Sequence, residues 1–270
     1  MAPTYHDFVL IVDGAPRAYT VAAEGPGEIR VAPVTFQWEE AGTVRSALLA
    51  VQAGQPPSRE EMEALGSALF LALFPRPVIR AFERAPDALP AGHLLRLKIV
   101  VRPAALSHLP WELLYDPDER HFLAPRLSCP IVRFVESGKP APSLLAPRPL
   151  RLLYLQANPP GTVPLDVEAS ERAVRDGLGE VGVVHAVRAT TPAALRDALR
   201  EQPGYHVLHY DGHGLFHRDR GEGYLFLHDE EGRVHPLSGE LLAAYLDGTA
   251  VRLVVLSACL TAAESHEKTF

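Results

Sequence analysis

The chain has few of the residues and segments that would place it in several large classes of protein. It contains two cysteines, Cys129 and Cys259, and no CxxC pair, which argues against a disulfide-rich scaffold or a cysteine-rich zinc module. No apolar run approaches the roughly 18 residues of a membrane span, and residues 1–13 lack the order of a signal peptide. We therefore expect a cytoplasmic protein with free thiols and no membrane partner.

Basic residues are also few relative to acidic ones. With 26 Lys and Arg against 33 Asp and Glu, the formal net charge is -7 at pH 7, and no basic stripe runs along the chain. Binding to nucleic acid depends on such a stripe, so direct contact with nucleic acid is not expected. What the chain does have is 47% hydrophobic residues over 270 positions, enough for the core of one large domain or two small ones. Proteins or peptides are the better-matched partners.

The first half of the chain reads as a strand-rich unit with one clear helix. Ser58 and Glu61 form a capping box, which predicts that a helix begins there, and Met62, Leu65, Leu69 and Leu73 would share its core face. Residues 109–114 are typical of a short helical turn. Alternating or β-branched residues predict strands at 8–12, 17–22, 34–38, 95–101 and 131–134.

A proline-rich connector follows this first unit. Residues 136–149 contain four prolines, one glycine and two serines, the composition of an exposed segment. We expect limited proteolysis to cut there first. The chain is thus divided into a strand-rich α/β support subdomain at 1–140 and a second subdomain at 148–270.

Beyond the connector, strands and helices alternate. The pattern predicts strands at 150–155, 183–187, 205–210 and 252–256, helices at 166–178, 192–200 and 239–246, and a hairpin with its first strand at 224–228 that turns at Glu231 and Gly232. Such alternation is typical of a parallel sheet covered on both faces. Ligands of these sheets bind beyond the carboxyl ends of the strands.

Two of these strands are expected to end in loops that carry reactive groups. The strand at 205–210 leads into His213, which has a glycine on each side, and the strand at 252–256 leads into Cys259. Both loops would project from the same edge of the sheet, so a thiol would lie beside a histidine that can act as its general acid/base. The flanking glycines would let the backbone approach a substrate carbonyl closely. The alternative is a structural cysteine buried at a strand end.

Neighbouring groups could complete such a site. The backbone amides of Gly214 and Cys259 are candidate donors to an oxyanion. Asp211 and Ser257 are candidates for the substrate cleft, and Asp211 is also a candidate to orient His213; the alternative role for Asp211 is that of a turn former at a strand end.

Other motifs are weaker. His206, His209, His213 and His217 are too unevenly placed for a zinc site, since His206 and His209 at odd spacing would lie on opposite faces of a strand. The GxGxxG pattern at 177–182 ends a helix instead of opening one, so it indicates a C-cap and turn. GxSxG and GxxxxGK[ST] motifs are lacking. No cofactor and no metal is expected.

Several segments resemble one family. The segments that carry the resemblance are YHVLHYDGHG at 205–214, VVLSAC at 254–259, LPWELLYDP at 109–117 with the following FLAP and IVR, and PLDVEAS at 164–170. The chain resembles the CHAT domain family, which comprises bacterial caspase-like cysteine proteases related to separases and caspases. The separation of His213 and Cys259 is also close to the about 50 residues found in caspases.

The resemblance implies an α/β fold, in which a caspase-like parallel-sheet sandwich is preceded by a smaller, degenerate caspase-like α/β subdomain. It implies a cysteine endopeptidase with a dyad of Cys259 and His213, which cleaves a protein substrate through a thioester without a cofactor. It also implies a setting in bacterial defence or regulated proteolysis, beside a sensor or effector protein.

Two further expectations accompany this resemblance. The alternative function is a non-catalytic interaction module on the same scaffold, which would dock a sensor or effector protein without thiol chemistry. Because the family continues beyond its cysteine whereas this chain stops at Phe270, the subdomain at 148–270 is expected to be incomplete and to need a C-terminal remainder or partner fragment.

Overall fold

The computed structural model describes residues 3–52, 55–136, 146–188, 190–217 and 222–259, with the backbone alone at Gln52, Phe216 and Cys259. The chain divides into two compact units, 1–51 with 55–140, and 52–54 with 141–270. Most of the predicted connector, 137–145, lies outside the described residues. Its described ends, 136 and 146–149, are exposed. Within the described part of the chain, no single helix is both long and apolar enough to cross a bilayer.

The first unit is a five-stranded mixed sheet with helices packed on it. Its strands are ordered β3-β2-β1-β4-β7, and β1 pairs antiparallel with β2 but parallel with β4. A separate two-stranded ribbon joins β5 and β6. The elements are β1 (Tyr5–Ala15), β2 (Ala18–Gly25), β3 (Ile29–Phe36), α1 (Gly42–Gln52), α2 (Arg59–Leu73), α3 (Arg76–Arg84), β4 (Leu94–Val101), α4 (Ala104–Ser107), β5 (Tyr115–Asp116), β6 (His121–Phe122) and β7 (Ile131–Arg133).

The core of this unit follows the predicted helix and strand patterns. The capping box at the start of α2 is present, with the Ser58 amide donating to Glu61 Oε2 at 2.8 Å and the Glu61 amide donating to Ser58 Oγ at 3.2 Å. Leu65, Leu69 and Leu73 are fully buried, as the spacing predicts. The helices α1, α3 and α4 were not among the predicted elements.

The second unit contains a sheet of six strands. Four of them, in the order β9-β8-β10-β13, are parallel. The far end of β10 continues into an antiparallel pairing with the hairpin β11-β12. The elements are β8 (Leu150–Ala157), α5 (Val167–Leu178), β9 (Gly182–Val187), α6 (Pro192–Arg200), β10 (Val207–His217), β11 (Glu222–His228), β12 (Val234–Ser238), α7 (Gly239–Leu246) and β13 (Leu253–Cys259).

Helices α6 and α7 pack on one face of this sheet. The apolar core there contains alternate residues of β8 and β10, among them Leu153 and Tyr210, together with Leu195 of α6 and Leu242 of α7. The opposite face of β10 carries polar residues at alternating positions. The unit is therefore a mixed α/β fold whose sheet contains four parallel strands, as predicted.

One prediction about this sheet is wrong. Residues 211–214 were expected to form a loop, but β10 continues through them to His217. Pairing on both sides explains the difference, because β8 and β13 hold Asp211 and Gly212 in the ladder and β11 takes over from Gly214. Aspartate and glycine are disfavoured in strands, so the local sequence gave no sign of this extension.

Candidate functional site

The parallel pairing of β10 with β13 brings two candidate residues side by side. Its register sets Asp211 opposite Ser257, and His213 opposite Cys259. Neighbouring strands lie about 4.8 Å apart, so the backbones of His213 and Cys259 are separated by the width of a single strand. The two residues share one edge of the sheet, although His213 lies within a strand and not in a loop.

The imidazole of His213 is buried and fixed by a single hydrogen bond. Its exposed fraction is 2%, and Nε2 lies 2.8 Å from the carbonyl oxygen of Val163. A carbonyl oxygen can only accept, so Nε2 carries the proton, and Nδ1 of the neutral ring carries a lone pair. Nδ1 is buried and has no hydrogen-bond partner among the described residues. Because His213 pairs with Cys259 in the sheet, the lone pair on Nδ1 makes this nitrogen a candidate proton acceptor.

The segment that holds the histidine ring lies between β8 and α5. Within it, Thr162 donates its hydroxyl to the carbonyl of Pro159 at 2.7 Å. The amide of Asn158, at the start of the segment, donates to Nε2 of His228 at 3.2 Å. The end of β11 is thereby linked to the segment that carries Val163. Sequence reasoning missed Val163, because a backbone carbonyl leaves no side-chain signature.

Gly212 is required for close packing inside the unit. A Cβ placed on it would lie 2.6 Å from Cζ of Tyr210 and 2.7 Å from the carbonyl oxygen of Ala157, and closer still to the Tyr210 hydroxyl. That hydroxyl is in turn 2.8 Å from the carbonyl oxygens of His213 and Phe226. The space at Gly212 is therefore filled by Tyr210 and by β8. The structure thus gives this glycine a packing role, and its predicted approach to a substrate carbonyl stays a prediction.

The Asp211 side chain bonds to Tyr154 and not to His213. Tyr154 donates its hydroxyl to Asp211 Oδ2 at 2.5 Å, and burial together with this carboxylate raises the pKa of Tyr154. Among the described residues, the Val163 carbonyl is the hydrogen-bond partner of the His213 ring, and it therefore orients the ring. On the same face of β10, His209 Nε2 lies 3.0 Å from Ser257 Oγ.

Gly214 adjoins the residue that precedes Cys259. It is buried, it pairs with Leu225 of β11, and a Cβ placed on it would lie 3.3 Å from that of Ala258. The two backbone amides named as oxyanion donors thus belong to neighbouring positions of β10 and β13. At this sheet edge the structure gathers His213, Gly214 and the backbone of Cys259, whereas Asp211 and Ser257 bond to other side chains.

The remaining thiol and histidines lie elsewhere. Cys129 belongs to the first unit, where burial raises the pKa of its thiol and so disfavours the thiolate. His206 precedes β10, and its Nδ1 accepts a hydrogen bond from the Arg151 amide. Across the described residues, no group of three His, Cys, Asp or Glu side chains could hold a metal ion.

Comparison with known proteins identifies the family. The model of the CHAT domain matches residues 63–269, which span the start of β10, its histidine and the end of β13. No curated protein matches the chain. The match includes the GHG and SAC segments from which the resemblance was drawn, and it covers most of the sequence. The chain therefore belongs to the CHAT domain family and has that family's caspase-like α/β fold.

Proposed function

We propose that this protein is a cysteine endopeptidase in which Cys259 is the nucleophile and His213 is the general acid/base. The observation that carries the proposal is the buried Nδ1 of His213, which has no hydrogen-bond partner among the described residues and belongs to the residue that pairs with Cys259 in the sheet. An imidazole whose proton is fixed on Nε2 leaves Nδ1 to exchange a proton with a thiol or an amine. The alternative is a non-catalytic docking module on the same scaffold, which would need no proton acceptor beside Cys259.

The geometry suggests a role for each group in the acylation step. Nδ1 of His213 takes the thiol proton, and the resulting thiolate of Cys259 attacks the scissile carbonyl carbon. The oxyanion that forms would accept hydrogen bonds from the amides of Gly214 and Cys259. The Val163 carbonyl accepts a hydrogen bond from the Nε2–H group in both charge states of the ring, and so stabilises the imidazolium.

The second half of the reaction uses the same proton. As the tetrahedral intermediate collapses, the C–N bond breaks and His213 donates its Nδ1 proton to the leaving amine, which leaves a thioester on Cys259. Water then attacks the thioester while His213 takes a proton from it, and the acid product leaves with restoration of the thiol. Atoms and charges balance without a cofactor.

The proposed setting follows the family. We propose a cytoplasmic enzyme that acts on a protein substrate in bacterial defence or regulated proteolysis, beside a sensor or effector protein. Asp211 and Ser257 stay proposed as cleft residues, now with Tyr154 and His209 as their respective side-chain partners.

The test compares the two thiols of the chain. Wild-type protein is treated with a limiting amount of iodoacetamide and mapped by peptide mass spectrometry, in parallel with Cys259→Ala, His213→Ala and the matched control Cys129→Ala. We expect labelling at Cys259, and cleavage of a broad fluorogenic peptide library that falls by several orders of magnitude in the first two variants and is unchanged in the third. Labelling mainly at Cys129 would refute the nucleophile. An unreactive Cys259 in a folded protein would favour the docking module.

A further inference from the structure

The second unit has a cavity far from the candidate active site. It lies at the opposite edge of the sheet, where β10 and β13 begin, and it has a volume of about 600 Å³. Helix α6, the C-terminal end of α7 and the segment that connects α7 to β13 form its walls. Six residue steps of about 3.3 Å separate Val207 from His213, so the cavity and the histidine are about 20 Å apart. Its size falls within the roughly 300–1,000 Å³ of ligand sites.

Positive charge dominates the lining of this cavity. Arg196, Arg200 and Arg252 face it together with one carboxylate, Asp247. The C-terminal ends of α6 and α7 each add a partial negative charge of about half a unit, which the three guanidinium groups exceed. A concentration of positive charge is unexpected in a chain whose net charge is -7.

Among the described residues, the three cavity arginines make no close ion pair with a carboxylate. Among the described residues, seven arginines elsewhere form ion pairs at 2.5–3.1 Å. The carboxylate partner of Arg196 is its chain neighbour Asp197, at the longer distance of 3.9 Å. Arg252 donates hydrogen bonds to the backbone carbonyls of Thr249 and Val251. Arg200 has no ion pair or hydrogen bond with any described residue. The cavity thus holds guanidinium groups that are available to an anion.

The local backbone favours a carboxylate ligand over a phosphate ligand. Phosphate sites commonly use the N–H groups at the start of a helix. Here α6 and α7 end at the cavity, and their carbonyl groups face it instead. Recognition must therefore come from the side chains, and guanidinium groups bind carboxylates in a planar, two-bond geometry.

The spacing of the arginines favours a peptide. Arg196 and Arg200 are four residues apart on α6 and both are exposed, which sets their Cβ atoms about 5–6 Å apart. In an extended peptide, side chains two residues apart lie on the same side at about 6.6 Å. Two acidic residues separated by one other residue would therefore meet both guanidinium groups.

We propose that this cavity binds an extended acidic segment of a partner protein, with alternate carboxylates at Arg196 and Arg200 and with Arg252 as a further contact. The site does not depend on the thiol chemistry. It would serve as a docking site for a sensor protein, at a distance from the candidate catalytic pair.

The test measures binding of a short peptide by fluorescence anisotropy. The probe is a fluorescein-labelled peptide with three aspartates at alternate positions, and the control peptide has asparagines in their place. We expect the acidic peptide to bind at least tenfold more tightly, with an affinity that falls as salt is added. The double variant Arg196→Glu, Arg200→Glu should lower that affinity at least tenfold. The matched control Arg76→Glu, Arg80→Glu, on exposed positions of α3, makes the same change of net charge and should alter it less than threefold.

A second variant separates the cavity from its charge. Ala244→Trp on the exposed side of α7 fills the cavity without changing the charge, and it should weaken binding as strongly as the double variant. Equal affinity for the two peptides, or equal losses in the α6 and α3 variants, would overturn the proposal. Tighter binding of inorganic phosphate or ATP than of the peptide, measured by competition, would also overturn it, since the ligand would then be a phosphate. None of these outcomes depends on peptidase activity.

Discussion

Gly212→Ala tests whether close packing around Tyr210 supports the histidine strand. The added methyl would lie 2.6 Å from Cζ of Tyr210 and 2.7 Å from the carbonyl oxygen of Ala157, both well inside van der Waals contact. Tyr210 is fully buried, so its ring has no solvent-filled space to move into. Overpacking of a core costs about 1–3 kcal/mol. Displacement of the Tyr210 hydroxyl from the carbonyl of His213 would cost about 0.5–1.5 kcal/mol more.

We therefore expect Gly212→Ala to lower the free energy of unfolding by about 2–4 kcal/mol, measured by urea denaturation with linear extrapolation. The matched control is Gly177→Ala in α5, where an added Cβ meets no atom within 4 Å. Because alanine is the better helix former, that variant should be as stable as wild type or more stable by up to about 1 kcal/mol.

A double-mutant cycle assigns the cost to its source. Tyr210→Phe removes the hydroxyl nearest to the new methyl, so in the double variant with Gly212→Ala the two losses should be less than additive by at least about 0.5 kcal/mol. A Gly212→Ala protein within about 0.5 kcal/mol of wild type would refute the packing argument. Strict additivity in the cycle would show that Tyr210 is not the residue displaced.

Three further outcomes are expected. The arginine hydrogen bonds that lower the pKa of Glu171 stabilise the fold at neutral pH, and this contribution is lost as the pH falls through that pKa. Glu171→Gln should therefore reduce the free energy of unfolding at pH 7 by about 1 kcal/mol and weaken the dependence of the melting temperature on pH in the acid range. Glu39→Gln, at an exposed position outside the helices, should leave both unchanged. His228→Leu removes the side chain that accepts a hydrogen bond from the Asn158 amide, and it should lower both the melting temperature and the rate of peptide cleavage. His228→Gln keeps an acceptor and should restore most of each. Equal losses in the two variants would count against a role for this hydrogen bond. Brief treatment with subtilisin, a protease of broad specificity, followed by mass spectrometry should find the first cut within 136–149, and protection of that segment would contradict the sequence prediction.

The sequence predicts the second unit well where local pattern and tertiary structure agree. Pro192 after Thr191 and the paired leucines of the following turns predict α6 with the bounds that the structure has. Ser238 likewise marks the start of α7, because its hydroxyl accepts the Leu241 amide at 3.2 Å. These signals are local, since a helix start depends on the cap residue and on the spacing of a few apolar residues.

The rest depends on partners that are distant in the chain. The strand at 211–214 exists because β8, β13 and β11 pair with it, and no pattern within those four residues indicates this. The support of His213 by Val163 joins residues 50 positions apart through a backbone carbonyl, which any residue could supply. The sequence predicted which histidine and cysteine share an edge of the sheet. It could not predict what fixes the ring.

The pH dependence of Cys259 alkylation tests the dyad most directly. The rate of reaction with iodoacetamide is measured from pH 5 to pH 10 in a Cys129→Ala background, once with His213 and once with His213→Ala. If Nδ1 of His213 takes the thiol proton, the first protein should react rapidly below pH 7, and in the variant the midpoint should move to about 8.5, the value of an ordinary cysteine. Identical profiles with midpoints near 8.5 would show that the two residues do not act as a pair, and the proposed mechanism would be wrong.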